Sequence, residues 1–94
     1  MIITFACKRT EAFFRKGKAS GLLAGQIQNA ASRKLQMLHF AVDVNDLKVP
    51  PGNQLEALKG SRKGQYSIRI NNQYRICFRF EGSNAYDVEI VDYH

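Results

Sequence analysis

The residues best suited to chemistry in this chain are arginines at alternating positions of strand-like runs, together with a histidine at the last position. Arg69 lies in the run Gln65–Ile70, and Arg75 and Arg79 lie in the run Tyr74–Phe80, with apolar residues in the intervening places. A period of two sends successive side chains to opposite faces, so the arginines share a polar face with Ser67 and Cys77. A guanidinium offers its N–H donors in a planar fork that matches the oxygens of a phosphate. His94 follows a strand-like run without a spacer, so a sheet can hold it in place, and an imidazole exchanges protons near neutral pH. Ahead of these runs, residues 59–64 hold Lys59, Arg62 and Lys63 beside Gly60 and Gly64. This is a basic, mobile loop, either a solvated turn or an anion contact.

Parity fixes how the two runs pair. A two-residue Asn-Asn turn sets Ile68 against Arg75 and mixes the faces. A three-residue loop, Asn71-Asn72-Gln73, sets Ile70 opposite Tyr74, Ile68 opposite Ile76 and Tyr66 opposite Phe78, which keeps the apolar face whole. That register places Arg69 directly across from Arg75. Like charges facing one another across strands are destabilising. Glu89 or Asp87 on the next strand offsets them in one reading, and a bound phosphate does so in the other. The two are compatible.

The elements that must position these groups follow from the rest of the pattern. Ile2 to Phe5 reads as a first strand. Thr10 and Glu11 open a short helix that Gly17 closes, with Phe13 and Phe14 on its apolar side and Lys8, Arg9, Arg15, Lys16 and Lys18 around it. Ser20 precedes a longer helix reaching about Phe40. Leu23, Ile27, Ala30, Ala31, Leu35, Leu38 and Val42 form its apolar stripe, with Arg33 and Lys34 off it. Pro50-Pro51-Gly52-Asn53 ends the helical half. Beyond it comes a meander of about four strands, with Tyr86, Val88 and Ile90 on one face of the last. The predicted architecture is a single α+β domain over residues 1–94, with two N-terminal helices packed on a mostly antiparallel sheet of four to five strands.

Composition narrows the function classes. Fourteen Lys and Arg against eight Asp and Glu give a net charge of +6, which favours polyanions or an acidic protein partner. No apolar run approaches the roughly 20 residues of a membrane helix, and the start lacks the layout of a signal peptide, so a cytoplasmic protein is expected. Cys7 and Cys77 form no Cys-x-x-Cys and, with His39 and His94, show no metal-ligand spacing. Neither a metal nor a cofactor is expected. His39 sits beside the apolar stripe and reads as structural.

The segments Leu58-Lys59-Gly60-Ser61-Arg62-Lys63-Gly64, Tyr66-Ser67-Ile68-Arg69-Ile70-Asn71, Tyr74-Arg75-Ile76-Cys77-Phe78 and Asp92-Tyr93-His94 resemble the HigB toxins of the RelE/ParE superfamily. The resemblance spans the chain, is specific in the second half, and is nearest to the HigB subgroup that includes the GraT toxin. It implies a RelE-like fold and a type II toxin that cuts mRNA in the ribosomal A site. It also implies a HigA-type helix-turn-helix antitoxin as partner, with operator DNA reached only through that antitoxin. Carried over by position, the family's C-terminal catalytic group falls on Asp92, Tyr93 and His94, its sheet arginine on Arg75 and its loop lysine on Lys59. Where some HigB toxins carry a loop histidine, this chain has Glu56, which either takes over as base or orienting carboxylate or leaves the role unfilled.

Cleaving RNA by this route requires that the 2′-hydroxyl lose a proton, that the phosphorane charge be stabilised, and that the departing 5′ oxygen be protonated. His94 suits the proton transfers, and Arg75 with Arg69 suits the phosphate. Lys59 adds charge, Tyr93 stacks or donates a hydrogen bond, and Asp92 orients. Arg62, Lys63, the basic cluster around the first helix, and Arg33 with Lys34 are expected contacts to RNA phosphates, including those of the ribosome. A ParE-like gyrase poison and a non-enzymatic nucleic-acid-binding module are the alternatives.

Overall fold

The computed structural model describes residues 1–16 and 25–92. Helix α1 spans Lys8–Lys16 and α2 spans Gly25–Phe40, followed by short 3-10 turns at Val44–Lys48 and Pro51–Asn53. Strand β1 is Glu56–Ala57, β2 Tyr66–Arg69, β3 Tyr74–Glu81 and β4 Asn84–Asp92, with a further 3-10 turn at Gly60–Arg62 between β1 and β2. The four strands form one antiparallel meander in chain order.

Both helices lie on one face of this sheet. Phe13 of α1 and Ala31, Leu35 and Leu38 of α2 are buried against Ile68, Ile76, Phe78, Val88 and Ile90. Ile27 and Ala30 pack at the margin. Leu23 and the expected helix start at Ser20 lie outside the described residues, as do Gly17 and Lys18. Val42 departs from the expected stripe. The helix ends at Phe40, so Val42 falls past the last turn and is exposed. There Asp43 caps the next 3-10 turn, its carboxylate accepting from the Asn45 amide at 2.8 Å.

Helix α1 begins two residues before the expected opening at Thr10. Its Glu11 amide donates to the carbonyl of Cys7 at 3.1 Å. Thr10 instead lies inside the helix, fully buried, where its Oγ1 accepts from the Ile90 amide of β4 at 3.2 Å. The hydroxyl therefore ties helix to sheet rather than capping a terminus.

The register of β2 against β3 follows parity. Tyr66 pairs with Phe78, Ser67 with Cys77, Ile68 with Ile76 and Arg69 with Arg75. The loop that sets it is an Asx-type turn. Asn71 Oδ1 accepts from the amides of Gln73 and Tyr74 at 2.9 and 2.7 Å, while Ile70 N donates to Tyr74 O at 2.9 Å.

Parity fails on β4. Cys77 pairs with Glu89 but Arg79 pairs with Tyr86, so Asp87 and Val88 face a single β3 residue, and Asp87 adopts φ +55. This β-bulge shifts the facing of the strand before it. Ala85, rather than Tyr86, is buried with Val88 and Ile90, and Tyr86 stands on the arginine face with Arg79 Cζ 5.2 Å from its ring centroid. The same bulge explains why the expected first strand is reduced to bridges. Ile2 and Phe5 run parallel to β4, opposite Ala85 and Val88, while Thr4 Oγ1 accepts the Asp87 amide at 2.8 Å at the irregular point.

Candidate active site

The face of the sheet away from the helices carries an ordered row of charges. Arg75 is its centre, only 8% exposed. Its Nε donates to Ser67 Oγ at 2.8 Å, and its Nη2 donates to the carbonyl of Gln54 at 2.6 Å. Ser67 is fully buried on the adjacent strand, and Gln54 adopts a left-handed conformation (φ 45) that ends the 3-10 turn Pro51–Asn53. A fork held by two partners from different elements is fixed in direction. Preorganisation of this kind is what a charge-stabilising group needs.

The carboxylate that offsets the arginine pair is neither Glu89 nor Asp87. Glu56 of β1 places Oε1 3.5 Å from Arg75 Nη2. Asp87 is taken by Arg79 at 2.8 Å, which also pairs with Glu81 at 3.0 Å; the hydrogen bond to Asp87 holds that guanidinium above its ordinary pKa. Glu89 is taken by Arg62, which reaches across from the loop before β2 at 2.9 Å and also bonds Gln65 at 3.1 Å. The bulge directs Asp87, and the Gly60–Arg62 turn directs Arg62. Neither follows from alternation.

Arg69 is left with a neutral partner, donating from Nη2 to Asn72 Oδ1. Together with Gln54, Asn71, Asn72 and Arg75 it lines a polar cleft of about 340 Å³. The loop residues Asn71 and Asn72, read from sequence only as a turn, thus wall the cleft. Gln54 supplies both a wall and the carbonyl that orients Arg75. Turn chemistry was the sole sequence signal for Asn71 and Asn72, and it did not reach Gln54.

Asp92 closes β4 opposite Tyr74, one step beyond the Val91–Arg75 pair. Its Oδ2 accepts from Gln73 Nε2 at 3.1 Å, which connects the chain end to the 71–73 loop. Tyr93 and His94 lie outside the described residues. Lys59 is exposed at the start of the Gly60–Arg62 turn, and Lys63 is exposed at its end. Neither reaches a carboxylate among the described residues.

The remaining basic residues are not gathered at the cleft. Lys8, Arg9, Arg15 and Lys16 are exposed on α1, which packs on the helical side, and Arg15 pairs with Glu11 at 3.0 Å. Arg33 lines a separate concavity on α2 with Asn29, Met37 and Phe40. Lys34 turns the other way. Its Nζ donates to Asn53 Oδ1. His39 is structural as expected, its Nδ1 accepting the Ile2 amide at 3.2 Å between the rings of Phe14 and Phe40.

This architecture is that of RelE-type toxins. YafQ from E. coli superposes with a TM-score of 0.64 at 14% identity, covering 99% of this chain and 92% of that one. YoeB in the YoeB–YefM complex from Staphylococcus aureus superposes with a TM-score of 0.63 at 18% identity, covering 100% and 95%. At that identity the likeness concerns the fold alone. Sequence goes further. The model of the HigB-like toxin family, described as the RelE-like toxin of type II toxin–antitoxin system HigB, matches residues 3–94. Toxin HigB-1 of Vibrio cholerae is 42% identical over 80 residues, 85% of this chain and 84% of its own. Endoribonuclease HigB of Proteus vulgaris is 34% identical over 94 residues, the whole of both chains. The chain belongs to the HigB family of RelE-like type II toxins.

Proposed function

We propose that this HigB-family toxin is an endoribonuclease that cuts mRNA in the A site of the 70S ribosome, without a metal or cofactor. The observation that carries the reading is the cleft in which Arg69 and Arg75 face one another across β2 and β3, with a single carboxylate, Glu56, within 4 Å of their guanidinium groups among the described residues. Paired guanidiniums in a polar hollow suit a phosphodiester whose charge rises as it is attacked.

In the proposed reaction the 2′-oxygen of a nucleotide attacks the adjacent phosphorus as its proton is removed. The P–O5′ bond breaks, the 5′ oxygen takes up a proton, and a 2′,3′-cyclic phosphate remains. Arg75, fixed by Ser67 and Gln54, and Arg69 take the non-bridging oxygens. His94 transfers the protons, Tyr93 stacks on a base or donates a hydrogen bond, Asp92 orients them, and Lys59 adds positive charge. Glu56, with its side chain half-exposed beside Arg75, orients the guanidinium rather than acting as the base. Arg62 and Lys63 flank the strand. Lys8, Arg9, Arg15 and Lys16 of α1, together with Lys18 and Arg33, contact ribosomal RNA.

The ribosome supplies the substrate in a fixed pose, which accounts for so sparse a set of titrating groups, because ordering alone contributes several kcal/mol. As a type II toxin the protein has an antitoxin partner. We assign that partner to the HigA-like helix-turn-helix class, with operator DNA contacted only through it. We place the toxin in the cytoplasm and nearest to the GraT-like subgroup. Among the described residues no helix is long and apolar enough to cross a membrane.

Primer extension on a translated message, with purified toxin and with or without ribosomes, tests this reading. Cuts that appear only with ribosomes are expected. Binding without any cut would point to a non-enzymatic module, and arrest of DNA supercoiling instead would point to a gyrase poison.

A further inference from the structure

Two consecutive residues ahead of β1 are gripped by cations from different elements. Asn53 accepts a hydrogen bond from Lys34 Nζ of α2, and the next carbonyl, that of Gln54, accepts one from Arg75 Nη2 of β3. Asn53 is fully buried, and its Nδ2 donates to the carbonyls of Leu47 and Val49 at 3.1 and 3.4 Å. With its amide nitrogen so engaged, the side-chain oxygen of Asn53 faces one way and holds the Lys34 ammonium against the segment that walls the arginine cleft.

That placement carries an electrostatic cost. Burial, and then the charges of Arg33 and Arg69, hold the Lys34 amine below the ordinary lysine pKa. Among the described residues no carboxylate pairs with either Lys34 or Arg69. Arg69 and Arg75 of β2 and β3 line one polar hollow with Gln54, Asn71 and Asn72, Glu56 pairs with Arg75, and Lys34 of α2 meets the residue next to that wall through its bond to Asn53. Cations gathered in this way repel one another, and an anion between them reverses the sign of the interaction. Arg33 and Lys34 are neighbours in sequence, yet Arg33 lines the separate concavity on α2 whereas Lys34 bonds to Asn53, the residue before the cleft wall at Gln54.

We infer that Lys34 is a third anion-binding group of the Arg69–Arg75 cleft, holding the phosphate next to the scissile one on the same single RNA strand. The inference rests on the reading of the cleft as an RNA site. The division of labour suits the chemistry. The guanidinium forks orient the phosphate that reacts, whereas an ammonium, a compact point charge, holds a phosphate whose orientation does not matter. An RNA strand entering the cleft exchanges one of the Lys34 donors from Asn53 to a phosphate oxygen.

The test is binding of a fluorescent 2′-O-methyl RNA oligonucleotide, which lacks the attacking hydroxyl, followed by anisotropy over a range of salt concentrations and pH. Lys34→Gln is expected to weaken binding about tenfold and to reduce the steepness of log K against log salt by about 0.7, one phosphate contact on a single strand. Lys34→Arg restores the slope and removes the loss of affinity that the wild type shows as pH rises through the lowered lysine range. Lys48→Gln, which removes an exposed charge elsewhere, leaves the slope unchanged. A Lys34→Gln protein of wild-type melting temperature and wild-type slope overturns the inference. Should Lys34→Gln fail to fold, a Lys34→Arg protein with the wild-type pH profile overturns it. An Arg69→Ala protein that binds the oligonucleotide like the wild type overturns the cleft reading itself.

Discussion

Glu56 Oε1 lies 3.5 Å from Arg75 Nη2, so this carboxylate is engaged with the central guanidinium of the site. The pairing ties β1, a strand of only two residues, to β3 across β2. It also sets the net charge of the cleft that an incoming phosphate meets. Removing the carboxylate charge while keeping its shape separates an orienting role from a proton-accepting one. For Glu56→Gln the account expects RNA affinity to rise by about threefold and stability to change by less than about 1 kcal/mol, as for a half-exposed ion pair. Single-turnover cleavage falls by less than about tenfold, whereas loss of a general base costs on the order of 10² or more.

Arg75 does not tolerate lysine. Its planar fork serves Ser67 Oγ and the Gln54 carbonyl together, and a single ammonium cannot hold both while facing a phosphate. Arg75→Lys is expected to lower the cleavage rate by about 10² or more, in line with loss of a preorganised donor. It also costs about 1–3 kcal/mol of stability, because the buried Ser67 hydroxyl loses its partner. Denaturant unfolding and single-turnover cleavage measure the two effects separately.

Arg69 behaves differently. It is half-exposed and bonded to Asn72, so the fold depends on it little. Arg69→Ala is expected to retain the wild-type melting temperature within a few degrees while cleavage falls by about 10². Thermal unfolding beside a cleavage assay checks the contrast. Equal losses of stability in the Arg69 and Arg75 variants would contradict it.

Thr10 tests the tie between helix and sheet. Its hydroxyl is the buried acceptor for the Ile90 amide of β4, the strand that leads toward the chain end. Thr10→Val keeps the volume and removes the acceptor, leaving a buried N–H unpaired at a cost of about 1–3 kcal/mol. Urea unfolding should show that shift in the midpoint with an unchanged slope.

The sheet and its register were legible because alternation over β2 and β3 admits only one pairing that keeps Ile68, Ile76, Phe78 and Tyr66 on one side. The helices were legible for the same kind of reason, through the buried stripe of Ala31, Leu35 and Leu38. What escaped depends on single backbone states. Asp87 adopts a positive φ inside a strand-like run, where alternation alone does not announce the bulge that turns Tyr86 to the arginine face and gives Asp87 to Arg79. The left-handed Gln54 is a second such case, and it decides where Arg75 points. Lys34 was read from its charge as a phosphate contact, but its bond to Asn53 was not legible, because that partner lies nineteen positions away within a Pro-Gly stretch that reads only as a breaker. Charge partners behave in the same manner, because which acid meets which arginine depends on loops rather than on periodicity.

The central claim is that the terminal imidazole and the paired guanidiniums act on one scissile phosphate. The most direct measurement is single-turnover cleavage of a ribosome-bound message by His94→Ala, alongside binding of the same protein to the uncleavable oligonucleotide. The account predicts that binding persists while cleavage drops by at least about 10²-fold. Cleavage at the wild-type rate in that variant would contradict it.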